Sequence, residues 1–201
     1  MANIQGSTTV DNLFGTPEDD LISGLDQQDF INGLDGNDLL FGHSGKDVLS
    51  GGLGNDSLFG GSDDDILSGN QGNDLIFGDA GVDVILGVNA DDPNAGLGEI
   101  DILTGGQGSD FFYLGNQNQA FYNGGGDTDF ALITDFNPQE DFLIRHGKLP
   151  FATANLVLDN LGAGVGIYVQ NLSGQNELIG FIPGLNESQL NVASNFLPLL
   201  A

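Results

Sequence analysis

Residues 33–60 read GLDGNDLLFGHSGKDVLSGGLGNDSLFG. Each nine-residue stretch opens on glycine, reaches an aspartate at its sixth place, and ends in two or three mostly apolar residues. The frame runs well beyond this segment in both directions. Every ninth residue from Gly6 to Gly105 is glycine and every ninth from Asp11 to Asp110 is aspartate, twelve of each without a miss. The eighth place is Leu, Ile or Phe from Leu13 to Phe112, broken only by Asn94. The fourth place is glycine at Gly36, Gly45, Gly54, Gly72, Gly81 and Gly108. The unit is G-x-x-G-x-D-x-[IL]-x, and a fixed internal period of this kind identifies a repeat architecture.

Glycine goes where a backbone turns tightly with positive φ. The apolar triplet suffices for a short strand whose middle residue points inward. One unit cannot bury a core, but two make a coil of about 18 residues with a strand on each side. Stacked coils then form two parallel sheets with the eighth-place residues between them. This predicts a period of 18 at outward positions. The ninth place reads Phe41, Phe59 and Phe77 in alternate frames, with Ser50 and Ser68 between them. The reading is an all-β parallel β-roll over residues 1–113 and a β-rich cap over 114–201.

GGLGNDSLF (51–59), GLDGNDLLF (33–41), GNQGNDLIF (69–77) and GGQGSDFFY (105–113) resemble the nonapeptide GGxGxDxUx of the RTX, or hemolysin-type, repeat family. The resemblance covers about half of the chain. It implies a β-roll with several calcium ions held in its turns.

The aspartates raise the same expectation by a physical route. Asp20, Asp38, Asp56 and Asp74 would stack in one column and Asp29, Asp47, Asp65 and Asp83 in the other, at roughly the strand spacing of 4.7–4.9 Å. Unit charges that close repel by on the order of 1 kcal/mol in water, and by several times more when partly desolvated. Lys46 is the one basic residue between 6 and 113. Calcium suits such a stack, because it accepts six to eight carboxylate and carbonyl oxygens in flexible geometry. Magnesium demands stricter geometry. Zinc wants His or Cys, and the chain has only His43 and His146 and no cysteine. The candidate ligands are those eight aspartates with Asp101 and Asp110, and the turns that open at Gly33, Gly42, Gly51, Gly69, Gly78 and Gly105 with their fourth-place glycines. The column through Asp38, Asp56 and Asp74 is expected to be the stronger, since its turns are intact. The other carries Lys46, Asp63 in place of glycine, and GLDQQD at Gly24–Asp29. Asp11 and Asp110, at the ends, are the candidates for plain turn capping. The frame GVNADDPNA (87–95) reads as a looped-out insertion or an off-pattern coil.

The chain has 201 residues, 33 glycines and a net charge of −26. That excess argues against nucleic acid and anionic membranes as partners and favours cations. Without cysteine there are neither disulfides nor thiolate metal sites. MANIQGSTTV lacks a basic region and an apolar core, so it is no Sec-type signal. No apolar run is long enough to span a bilayer, so a soluble chain is expected. RTX resemblance implies export by a type I machine that reads an uncleaved C-terminal segment, here ending SNFLPLLA.

Beyond residue 113 the frame returns once, in GGGDTDFAL (124–132), with Gly124 and Asp129 in step. Ile133–Asp135–Phe136 and Phe142–Ile144 read as two strands around an Asn-Pro turn, similar to the segment that finishes the roll in RTX proteins. Further strands are expected at Asn155–Leu158, Gly166–Val169 and Glu177–Ile182. The outer column of Leu39, Phe41, Phe59, Leu75, Phe77 and Tyr113 needs cover, by this cap or by another subunit. His146 reads as a solvated turn residue. There is no HExxH, GxSxG, Walker or EF-hand motif, and little room beside the repeats for a catalytic domain, so a non-enzymatic, extracellular calcium-binding module is expected. The alternatives are an adhesion or matrix protein using the Phe41–Phe59–Phe77 face, an ice-binding roll, for which the Asn37, Asn55 and Asn73 array is too irregular at its third place, and an enzyme with acids near Asp135, Glu140 and Asp141.

Overall fold

The computed structural model describes residues 1–115, 119–123, 129–145, 151–158, 161–170, 176–190 and 196–198. Gly124, His146 and part of SNFLPLLA lie outside the described residues. In chain order the strands are β1 (Asn3–Gln5), β2 (Asn12–Phe14), β3 (Leu21–Asp26), β4 (Phe30–Asp35), β5 (Leu39–Ser44), β6 (Val48–Leu53), β7 (Ser57–Ser62), β8 (Ile66–Gln71), β9 (Leu75–Ala80), β10 (Val84–Val88), β11 (Ile100–Gln107), β12 (Phe111–Tyr113), β13 (Phe130–Ile133), β14 (Phe142–Arg145), β15 (Phe151–Leu158), β16 (Gly162–Gln170), β17 (Asn176–Pro183) and β18 (Phe196–Pro198). One sheet runs β1-β3-β5-β7-β9-β11-β13-β17-β16-β15, and the other β18-β14-β12-β10-β8-β6-β4-β2. Odd and even strands of the repeats therefore lie on opposite sides, all parallel to their neighbours, and two repeats make one coil. Leu40 sits beside Ile22 and Leu58, whereas Leu49 sits beside Ile31 and Leu67. The period of 18 read from Phe41, Ser50 and Phe59 is the coil itself.

Strands β3 to β11 each run through their apolar triplet into the next glycine. In β7, Leu58 and Gly60 face inward, while Ser57 and Phe59 face out. The inner column of Ile22, Ile31, Leu40, Leu49, Leu58, Leu67, Ile76, Ile85, Leu103 and Phe112 is sealed from solvent. Full burial of one such side chain contributes about 1.5–3 kcal/mol. A stack of them is the main apolar term holding the coils together.

The segment after β10 is an insertion and not a coil. The chain leaves the stack at residues 89–99 and re-enters at Ile100, which places Leu103 beside Ile76. Asn94 thus never enters the core, and the one break in the eighth-place column disappears.

Two outer-face expectations change. Tyr113 lies on β12, in the sheet opposite Phe41, Phe59 and Phe77, so it is no part of their column. The three Phe rings stack with centroids 5.0 Å apart. Among the described residues the later strands do not cover them. They extend the sheets end-on instead, β13 against β11, β17 against β13, and β14 against β12. The rings remain half-buried, each by its neighbours in the ladder.

The expected strands after residue 150 fall within β15, β16 and β17, an antiparallel meander on the edge of the first sheet. Of the two strands expected around the Asn-Pro turn, Phe142–Ile144 falls within β14, whereas β13 ends at Ile133 and leaves Asp135 and Phe136 outside it, and β13 and β14 join opposite sheets. They form one more coil, closing the roll in a different manner from a hairpin. No helix among the described residues is long and apolar enough to cross a membrane.

Candidate metal centre

Each turn from Gly24 to Asp83, and the one opening at Gly105, carries two residues in the left-handed half of backbone space, whereas those opening at Gly6 and Gly15 carry none. At the fourth place these are Gly36, Gly45, Gly54, Gly72, Gly81 and Gly108, with Gln27 and Asp63 adopting the same sign of φ where glycine is missing. At the second place they are Leu25, Leu34, His43, Gly52, Gly61, Asn70, Asp79 and Gly106. Non-glycine residues there are held at a cost. The off-consensus turns keep the consensus path because the stack imposes it.

This path delivers each sixth-place aspartate to the inside of its turn. Asp20, Asp29, Asp38, Asp47, Asp56, Asp65, Asp74, Asp83, Asp101 and Asp110 are all 2% exposed or less. One carboxylate oxygen locks the coils together. The Asp38 N–H donates to Asp56 Oδ1 at 2.7 Å, and the same bond joins Asp20 to Asp38, Asp56 to Asp74, Asp29 to Asp47, Asp47 to Asp65 and Asp65 to Asp83. Across the insertion the bond survives, from Asp74 to Asp101 and from Asp83 to Asp110, although these pairs are 27 residues apart instead of 18. Outside this column runs a second ladder, in which the N–H groups of Asn55, Asn73 and Ile100 donate to the Oδ1 atoms of Asn37, Asn55 and Asn73.

The second carboxylate oxygen separates the interior of the columns from their ends. Oδ2 of Asp29, Asp38, Asp47, Asp56, Asp65, Asp74, Asp83 and Asp110 is buried and accepts no hydrogen bond. At the ends protein donors satisfy it. Ser7 donates from its N–H and hydroxyl to Asp11, at 2.6 and 2.8 Å. Thr16 does the same for Asp20, at 2.6 and 2.9 Å. The Tyr122 hydroxyl donates to Asp101, and the Asn137 N–H to Asp141 at 2.7 Å. Asp110 thus shares the orphaned oxygen of the interior residues, whereas Asp11, Asp20, Asp101 and Asp141 have theirs satisfied by protein donors. The expected ranking of the columns has no counterpart in this geometry. Asp29, Asp47, Asp65, Asp83 and Asp110 present the same orphaned oxygen as Asp38, Asp56 and Asp74, and Lys46 turns outward to pair with Asp64 of the next coil.

Burial dominates the electrostatics. It pushes the carboxyls of Asp47 and Asp110 up to about 6, those of Asp56, Asp83 and Asp101 to about 7, and those of Asp65 and Asp74 to about 8. Backbone N–H donors oppose the rise for each of them, and neighbouring aspartates or acids add to it. Eight buried carboxylate oxygens without donors are costly in a chain with so few basic groups.

A cation fits this arrangement. A point one bond beyond Gly51 Cα lies against Asp56 Oδ2 and, at 2.7 Å, against the Gly69 carbonyl oxygen of the next coil. Gly33, Gly42, Gly60, Gly69 and Gly78 have the same pair of neighbours, a carboxylate oxygen from their own turn and a carbonyl oxygen from the coil that follows. Two acceptors face each other with no proton between them. Hard oxygen donors of this kind suit calcium. Among the described residues no three His, Cys, Asp or Glu side chains converge, so backbone carbonyls would supply the rest of any coordination shell. Gly33, Gly42, Gly51, Gly69, Gly78 and Gly105 leave the space beside the aspartates, and Gly36, Gly45, Gly54, Gly72, Gly81 and Gly108 set the turn.

The structure also moves two acids. Asp129 is out of step with the column, since β11 and β13 pair so that Ala131 lies beside Asp101 and Asp129 lies two residues earlier. Asp141 joins the other column, with the Asp110 N–H donating to its Oδ1 at 3.0 Å. Asp135 accepts from the N–H groups of Gly105 and Gly106 at 2.9 and 2.8 Å. Asp135 and Asp141 thus act as turn braces. The signal for Asp141 was an aspartate directly before the apolar run Phe142–Ile144.

The RTX calcium-binding nonapeptide repeat matches this chain in four copies, over residues 5–40, 24–58, 59–92 and 95–130. No curated protein matches it. Similar solved structures include the AlgE6R3 subunit of the mannuronan C5-epimerase of Azotobacter vinelandii, with 18% identity, a TM-score of 0.29, and coverage of 95% of this chain and 80% of that one. Another is the extracellular lipase LipA of Serratia marcescens, with 16% identity and a TM-score of 0.31. The match covers 94% of this chain and spans 40% of the lipase.

Proposed function

Because the chain belongs to the RTX calcium-binding nonapeptide repeat family, whose repeats imply calcium binding by stacked aspartate-rich turns, we propose that calcium is the last component of this fold. The observation that carries the reading is the set of eight buried, donorless aspartate oxygens, seven of which share their glycine with a carbonyl of the neighbouring coil. Without a cation the acceptors repel and the coils separate. With it, binding free energy becomes folding free energy. The chain is then a binding and structural module. Among the described residues the column aspartates are spread along the roll, and no three His, Cys, Asp or Glu side chains converge.

Export follows as part of the proposal. Millimolar extracellular calcium would close a roll that stays open at the submicromolar level inside a cell, and a C-terminal address read by a type I machine leaves the chain uncleaved. The Phe41–Phe59–Phe77 ladder is the face proposed for self-association or a surface partner.

A calcium titration from excess chelator to millimolar calcium, followed by far-UV circular dichroism and sedimentation velocity, tests both readings. The expected result is a cooperative gain of β signal with compaction, and calcium-dependent oligomers if the Phe ladder pairs two copies. A fully β-structured chain in chelator would overturn the coupling.

A further inference from the structure

The insertion and the segment after β12 meet at one residue. Tyr122 is fully buried. Its N–H donates to the Ala95 carbonyl at 2.9 Å. A Cβ on Gly96 would lie 2.5 Å from its ring, so glycine there admits the ring. Tyr122 itself takes a positive φ of 55°, a conformation a bulky residue adopts only where its surroundings impose it. The result is a phenol driven into the turn between Gly87 and Asp101, with its hydroxyl on Asp101 Oδ2.

The position of that hydroxyl is informative. In the regular turns the point beyond the first glycine touches the turn's own aspartate oxygen and a carbonyl of the next coil, as at Gly51 and Gly69. At Gly87 the corresponding point touches Asp101 Oδ2 and the Tyr122 hydroxyl. The phenol hydroxyl is the nearest atom to that point, and it meets the carboxylate oxygen that the interior aspartates leave without a donor. A carbonyl only accepts, so it cannot supply the donor that the interior aspartates lack. A hydroxyl donates, so the pair closes with no cation.

We infer that Tyr122 ends the column by replacing a cation with a proton donor, which withdraws Asp101 from the calcium-binding set. This rests on the calcium reading proposed above. Thr16 and Asn137 satisfy their aspartates from within the same turn. Tyr122 does so from a different part of the chain, docked through the insertion.

Native mass spectrometry of the full chain at saturating calcium, counting bound ions, tests the inference. D56N, an interior change, is expected to lower the count. D101N is expected to leave it equal to the wild type, since an asparagine oxygen still accepts from Tyr122. Y122F is expected to show the wild-type count, or one ion more where a cation replaces the lost donor. Loss of an ion in D101N, or in Y122F if D101N fails to fold, would overturn the inference and make Asp101 an ordinary ligand. A wild-type chain that holds no calcium would overturn the calcium reading and this one with it, whereas a wild type that binds ions and loses one in D101N would overturn this one alone.

Discussion

In calcium-free buffer, lowering the pH from about 8 to about 5 is expected to restore β structure to a chain that is open at the higher pH. An unfolded aspartate titrates near 3.8, while Asp47, Asp56, Asp65, Asp74, Asp83 and Asp110 in the roll titrate between about 6 and about 8, raised chiefly by burial. Between those limits the folded state holds more protons than the unfolded one, so stability rises as pH falls. The penalty is complete above the folded values, shrinks as pH drops through them, and is gone below the unfolded value. Protonation also turns an orphaned Oδ2 into a donor that can reach the facing carbonyl. With calcium present the trend reverses, because protons compete with the cation for the same oxygens. Circular dichroism at several pH values, with and without calcium, should give curves of opposite slope. A calcium-free signal that is flat or falls on acidification would show that the columns are not what keeps the apo chain open.

The second large effect is expected from Gly54→Ala. Gly54 has a φ of +122°, and an added Cβ would overlap the carbonyl oxygen of Gly36 in the preceding coil. Backbone faces backbone there, so neither side can rotate away. The coils must part, which strains the bond from the Gly54 N–H to the Gln71 carbonyl, 2.8 Å long. Gly98 is the control. It also has a positive φ, of +79°, but nothing lies within 4 Å of its missing Cβ. G98A should cost about 1–2 kcal/mol, the ordinary cost of that backbone conformation for an L-residue. G54A should cost on the order of 3–5 kcal/mol, in the range reserved for disruption of a packed site. For a chain of this size that corresponds to a fall of roughly 10 °C in thermal midpoint at saturating calcium. Equal midpoints for the two variants would mean that the stack is looser than the geometry requires.

The repeat was legible because its physics is local. A glycine that must turn, an aspartate five residues later and an inward leucine recur at fixed offsets, and the alternation of Phe41 with Ser50 exposes the two-sided coil. What stayed hidden depends on counting across turns of unequal length. The insertion adds nine residues, one repeat, so the glycine and aspartate frame passes through it undisturbed at Gly87 and Asp92. Only the apolar position, occupied by Asn94, betrayed it. Beyond residue 113 the same counting misled in both directions. Asp129 keeps the five-residue offset from Gly124 but pairs two residues off the column, while Asp141 lies 31 residues after Asp110 and still joins it. Strand register decides membership there, and register is set by backbone pairing and core packing that a single sequence does not display. The Tyr122 contact is of the same kind, a long-range juxtaposition with no periodic trace. Nor could the spacing show which aspartates have donors, because Thr16 and Ser7 sit at a place where other turns carry leucine, histidine, glycine, asparagine or aspartate.

The loop at residues 89–99 shows that the roll sets its register through strands and not through turn length. The bonds from Asp74 to Asp101 and from Asp83 to Asp110 close across the added residues as they do elsewhere across 18. Lengthening a loop costs only about 0.6 kcal/mol per doubling in chain entropy, so this corner of the solenoid behaves as a port. A foreign peptide spliced at the exposed Pro93–Asn94 tip, short of the Ala95 and Gly96 backbone that holds Tyr122, would be displayed from a rigid stem, and folding of the stem by calcium would switch its presentation on.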